Sequence, residues 1–219
     1  MTRHIERQIL HLKELILHFG TMVEESISHS NIALFKQDLS LATKVIANDA
    51  EIDRMEVELE EECLKVLALY QPVAADLRFV VAVLKINNDL ERIGDLTSNI
   101  AKTVSQLAMT GPFEMHQEIS VMAKQAEEMV KKSLDAVVTG DPDLARQVRE
   151  EDDAVDAGRQ AVSKLVMQRI QEDPQNVENL LRINSVSKNL ERVADMATNI
   201  AEDVIYMVEG EIVRHRHGD

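Results

Sequence analysis

Tryptophan is absent from this chain, cysteine occurs once, and aromatic residues make up only 3% of its 219 positions. A core with so few rings must be filled by Leu, Ile, Val, Ala and Met, as helical bundles commonly are. The lone Cys63 excludes an intramolecular disulfide and suits a reducing compartment. Basic residues are also short: 24 Lys and Arg stand against 39 Asp and Glu, a net charge of −15. Binding a phosphate backbone takes clustered cations, so the balance argues against nucleic acid, and against simple docking to an anionic membrane. No uncharged run approaches the roughly 18 residues that cross a bilayer. The start, Met1 to Glu14, mixes charged and apolar residues and has no signal-peptide core. A cytoplasmic protein without direct membrane insertion is expected, its acidic surface suited to cations and basic patches.

Proline is scarce too, and its four positions are informative. Asp141-Pro142 and Asp173-Pro174 each place a capping acid before proline at a first helical position. Gln71-Pro72 and Gly111-Pro112 mark two further starts, Asp38 caps another helix, and Gly140 and Gly210 fall at helix ends. The punctuation cuts the chain into segments of roughly 3–35, 38–70, 72–109, 113–139, 142–172 and 174–209. Apolar residues recur at helical spacing: Ile5, Ile9, Leu12, Ile16, Phe19 and Val23 in the first, and Leu41, Val45, Ile52, Met55, Leu59 and Val66 in the second. No stretch alternates at the period of a strand. The predicted fold is all-α, six long helices forming two tandem three-helix bundles, residues 1–110 and 111–219.

The halves repeat. Leu90 to Asp95 reads LERIGD and Leu190 to Asp195 reads LERVAD, each followed by Asn-Ile-Ala. Eight of the nineteen positions from 86 to 104 match those from 186 to 204, enough to make the chain two copies of one helical module. Leu41, Ala42, Val45, Asp49 and Asp53 likewise fall on Leu144, Ala145, Val148, Asp152 and Asp156.

Residues four apart share a helix face, so the repeat presents four carboxylate pairs: Asp49 with Asp53, Glu91 with Asp95, Asp152 with Asp156, and Glu191 with Asp195. Each half thereby gains a cluster of four oxygen donors bridging neighbouring helices. Like charges at this spacing cost a helix a few tenths of a kcal/mol, and a cation reverses that sign. Such donors suit Mg, Mn or Fe, and carboxylates also hold Zn. The competing reading is a solvated acidic surface, which any single pair in so acidic a chain fits better. Recurrence at equivalent places in both halves favours metal.

His4, His11 and His18 repeat every seven residues, but that spacing sets neighbouring imidazoles about 10 Å apart along the axis, too far to share an ion. They read as an exposed row. Cys63 reads as core, His215 and His217 as a disordered tail, and the small pair Gly94 and Ala194 as a close helix approach. Leu10, Leu15 and Leu17 widen the apolar surface of the first helix and predict a homodimer. No Glu-x-x-His, His-Glu-x-x-His, glycine-rich phosphate loop or Gly-x-Ser-x-Gly occurs, so no enzyme is expected.

QPVAADLR from Gln71 to Arg78, LERIGD and LERVAD with their Asn-Ile-Ala sequels, and the run from Glu202 to Gly210 resemble the PhoU family of phosphate-uptake regulators. The resemblance covers essentially the whole chain. It implies two three-helix bundles and metal clusters, of iron or zinc, held by Asp49, Asp53, Glu91 and Asp95 and by Asp152, Asp156, Glu191 and Asp195. It also implies a non-enzymatic negative regulator acting between the Pst phosphate transporter, through its ATPase subunit, and the phosphate-sensing histidine kinase. The second half reads DPQNVENLLR from Asp173 to Arg182 and lacks a QPVAADLR equivalent, so the halves are expected to differ in task. A carboxylate-bridged metal oxidase or hydrolase and a metal-free helical scaffold are the alternatives.

Overall fold

In the computed structural model, residues 2–110, 113, 115–213 are described, and every long element among them is a helix. The helices are α1 (Thr2–Lys36), α2 (Leu39–Tyr70), α3 (Ala74–Ala108), α4 (Gln117–Thr139), α5 (Pro142–Glu172) and α6 (Val177–Glu209). Asp38 caps α2 by accepting from the Leu41 amide, and Asp141 caps α5 by accepting from Asp143 and Leu144. Gly140 and Gly210 end α4 and α6 in the left-handed region, at φ 65° and 78°, where a Cβ is unfavourable.

Three expected starts shift. Helix α3 begins at Ala74, two residues past Pro72, because the chain first turns through Gln71 at φ 48°. Pro174 opens a short 3-10 turn, Pro174–Asn176, and α6 follows at Val177. Helix α4 starts at Gln117 rather than 113. Gly111 and Pro112 lie outside the described residues, as do His215 and His217.

Helices α1, α2 and α3 form one bundle and α4, α5 and α6 the other. Of the apolar stripes, Leu12, Ile16, Phe19 and Val23 of α1 and Val45, Ile52, Met55, Leu59 and Val66 of α2 are buried, and Ile5, Ile9 and Leu41 half-buried. Cys63 and Ile86, Leu90 and Ile93 of α3 complete this core. Each fully buried Leu or Ile contributes about 1.5–3 kcal/mol. Of the leucines on α1, Leu15 is half-buried against this core while Leu10 and Leu17 remain exposed.

The bundles join mainly through α3 and α6, which run antiparallel. Lys85 Nζ reaches Asp203 Oδ1 at 3.0 Å and stands 4.9 Å from the Tyr206 ring centre, while Arg78 Nε donates to the Met207 carbonyl at 3.4 Å. A second, thinner seam sets α1 against α4, where Asn31 Nδ2 donates to Glu127 Oε2 at 2.8 Å. Among the described residues no helix is long and apolar enough to cross a membrane.

Candidate functional site

Helix α2 packs tightly on α3 where a side chain is missing. A Cβ on Gly94 would sit 2.7 Å from Ile52 Cγ2, so only glycine lets the backbones meet there. Ile52 lies between Asp49 and Asp53, and Gly94 between Glu91 and Asp95. Bringing Ile52 onto Gly94 therefore brings the two acid pairs face to face. In the second half the equivalent residues are Val155 and Ala194, both fully buried. One carbon has moved from one helix to the other, and the summed side-chain size is unchanged.

The charges report the outcome. Burial pushes the Asp49 carboxyl above its ordinary value, and Asp95 across the seam and Asp53 on its own helix push the same way, against the Ser98 hydroxyl and Lys102. Glu91 is raised by burial and then by Asp95, Glu56 and Asp53. In the second half burial, with Asp195, Asp156 and Asp153, lifts Asp152 to about 6, and burial with Glu191 and Asp156 raises Asp195. All eight acids singled out in the sequence thus fall into two seams, four on α2 and α3 and four on α5 and α6. They are neighbours rather than a closed cage: among the described residues no three His, Cys, Asp or Glu side chains converge as ligands of one ion do.

Two further groups complete each seam. Ser98 and Thr198 follow Asp95 and Asp195 by three residues and stand beside Asp49 and Asp152. Neither hydroxyl reaches hydrogen-bond geometry, and Ser98 Oγ, Thr198 Oγ1 and Asp152 Oδ1 are buried without a partner. Buried polar atoms are normally satisfied, so an unpartnered hydroxyl beside the acids of each seam leaves donor capacity free for another group. Oxygen donors of this kind, carboxylate with hydroxyl, fit a hard divalent cation or iron. Both hydroxyls were missed in the sequence, although they sit at one register in the two copies; the fold places them beside the acids.

The histidine row is elsewhere. His4, His11 and His18 are exposed along α1 and approach neither seam. A hollow of about 340 Å³ lies at one end of the second bundle, between Phe113, His116, Arg169 and Asn179, and none of the eight acids lines it.

Against this geometry the comparisons with known proteins are uniform. The PhoU domain family model matches residues 16–104 and again 119–204, one match per bundle. The phosphate-specific transport system accessory protein PhoU homolog of Aquifex aeolicus is 38% identical over 211 residues, covering 96% of each chain. The protein of the same name from Pseudomonas aeruginosa is 36% identical, over 98% of this chain and 91% of that one. The crystal structure of PhoU from Pseudomonas aeruginosa superposes with a TM-score of 0.91 at 35% identity, over 94% of this chain and 99% of that one. That of the phosphate transport system regulatory protein PhoU from Streptococcus pneumoniae gives 0.88 at 30% identity, over 95% and 99%.

Proposed function

Because this chain belongs to the PhoU family, we propose that it is a non-enzymatic accessory regulator of phosphate-specific transport whose two acidic seams hold metal. The observation that carries the metal reading is the duplicated set of facing carboxylates, each with an unsatisfied hydroxyl beside it. Asp49, Asp53, Glu91 and Asp95 would hold metal in the first half, and Asp152, Asp156, Glu191 and Asp195 in the second. Iron or zinc is the expected metal, with manganese or magnesium suited to the same donors. Bound there, a cation supplies positive charge that offsets the repulsion between facing helices. The protein's own part is structural. Gly94 and Ile52 fix the separation of the first two acid pairs, with Asp49 and Glu91 half-buried and Asp53 and Asp95 open to solvent.

A regulator of this kind restrains the phosphate-starvation response when phosphate is plentiful. The partners we assign are the ATPase subunit of the Pst transporter and the phosphate-sensing histidine kinase, with a second copy of this chain as homodimer. The acidic surface, −15 in net charge, supports docking to basic patches on such partners. The decisive experiment measures alkaline phosphatase, a reporter of that response, in a deletion strain grown with excess phosphate. High activity that the intact gene returns to a low level is expected. Activity equal to the parent strain's would remove the negative-regulator reading.

A further inference from the structure

At one position beside the carboxylates an acid in the first half is replaced by a base in the second. In the register that sets Asp49, Ile52, Asp53 and Leu59 on Asp152, Val155, Asp156 and Val162, acid falls on acid and buried residue on buried residue. The same register sets Glu56 on Arg159. Each lies three residues beyond the second aspartate, on the same helix face, and each is half-buried. Helix α3 comes close at this point, for Asn87 Nδ2 donates to the Glu56 carbonyl at 2.9 Å, and the Glu56 charge acts on Glu91. In the second half the guanidinium lies against the corresponding acid instead. Arg159 Nε is 3.6 Å from Glu191 Oε2, and Nη1 donates to Asn184 Oδ1 at 3.2 Å. Where the first seam has an extra acid whose charge acts on Glu91, the second has a guanidinium beside Glu191, close enough for an ion pair but short of a hydrogen bond from Nε.

We propose that Arg159 makes the two seams unequal metal sites. The first, with Glu56 as an added oxygen donor, takes a divalent cation more tightly, and the second takes one less tightly, against the charge of Arg159 beside Glu191. The inference rests on the metal reading above. Its physical basis is electrostatic: a cation arriving at Glu191 meets the fixed positive charge of Arg159 beside it. An unpartnered buried hydroxyl stands in both seams, Ser98 beside Asp49 and Thr198 beside Asp152, so the difference rests on Glu56 and Arg159. Lys102 works against this on the first half, acting on Asp49, but it is exposed and screened by solvent. Its second-half equivalent, Glu202, is held at 3.4 Å by Arg149.

The test uses the full-length, tag-free chain, stripped with chelator and titrated with Zn²⁺ by calorimetry, with metal content per chain measured after desalting. Asp49→Asn with Asp95→Asn leaves the second seam alone, and Asp152→Asn with Asp195→Asn leaves the first. The first seam is expected to bind zinc at least about tenfold more tightly. Arg159→Gln, in the chain with only the second seam, should tighten zinc by about tenfold, while Arg159→Lys, which keeps the charge, should gain much less. Glu56→Gln should weaken the first seam. Circular dichroism confirms that each variant is folded. Equal affinities of the two seams, or no change on Arg159→Gln, would overturn the inference while leaving the metal reading intact. If neither seam binds zinc, both fall together.

Discussion

Gly94 shows how much a single side chain, or its lack, decides. With Ile52 Cγ2 only 2.7 Å from where a Cβ would stand, Gly94→Ala must push α2 and α3 apart or deform Ile52, at about 1–3 kcal/mol. Ile52→Val alone leaves a small cavity worth about 0.5–1.5 kcal/mol. The second half already carries the Ala and Val arrangement, so the double variant should recover most of the loss. Thermal melting of the two single variants and the double checks this; strictly additive losses would show that the seam does not pack as described. The small residue at 94 and 194 was visible in the sequence, whereas its partner was not. Ile52 is forty-two residues away, and only the helix crossing joins them. The same reason hid Arg159: the repeat aligned it with Glu56, but its contact with Glu191 depends on how α5 lies against α6.

At the scale of the element, caps and stripes were legible because they are local. Asp38, Asp141, Gly140 and Gly210 act within a few residues of themselves, and α5 spans Pro142–Glu172 as its punctuation implied. Asp141→Ala should cost about 1 kcal/mol, since two amides lose their acceptor, and Asp141→Asn much less. The starts at 72, 113 and 174 were misplaced because a proline permits a helix without fixing where it begins. The seam between α1 and α4 adds a pH dependence. Glu24 of α1 is raised by burial and by Asp135 of α4, with Lys131 opposing. Raised in the folded state, it holds its proton there more firmly than in the unfolded chain. Its contribution is therefore greatest below the ordinary glutamate value and is lost as pH rises through the folded one. Glu24→Gln should thus melt a degree or two above the parent at about pH 7, with the difference closing toward about pH 4. A gap that widens in acid would reverse the sign assigned here.

For the whole molecule, the duplicated sequence implied two bundles but not how they join. The joint is asymmetric. Lys85 and Asp203 pair across α3 and α6, while the residues equivalent to them in the other copy are Ser185 and Thr103. Lys85→Met leaves the Asp203 carboxylate, 1% exposed, without this partner. It should destabilise the chain by about 1–3 kcal/mol, less than a fully buried pair because half of the bridge reaches solvent. Lys85→Met with Asp203→Leu should restore much of it. Denaturant unfolding measures both, and a double variant no more stable than the single would contradict the pairing.

That joint also sets an order of events in time. Within each bundle the helices are separated by less chain than Lys85 is from Asp203, so their contacts are expected to form earlier. Lys85 and Asp203 are separated by 118 residues, so α3 is expected to meet α6 after the bundles have formed. Refolding should therefore show a fast phase that recovers helical signal and a slower, concentration-independent one in which the halves dock. Removing the Lys85–Asp203 pair should change the slow phase and leave the fast one alone.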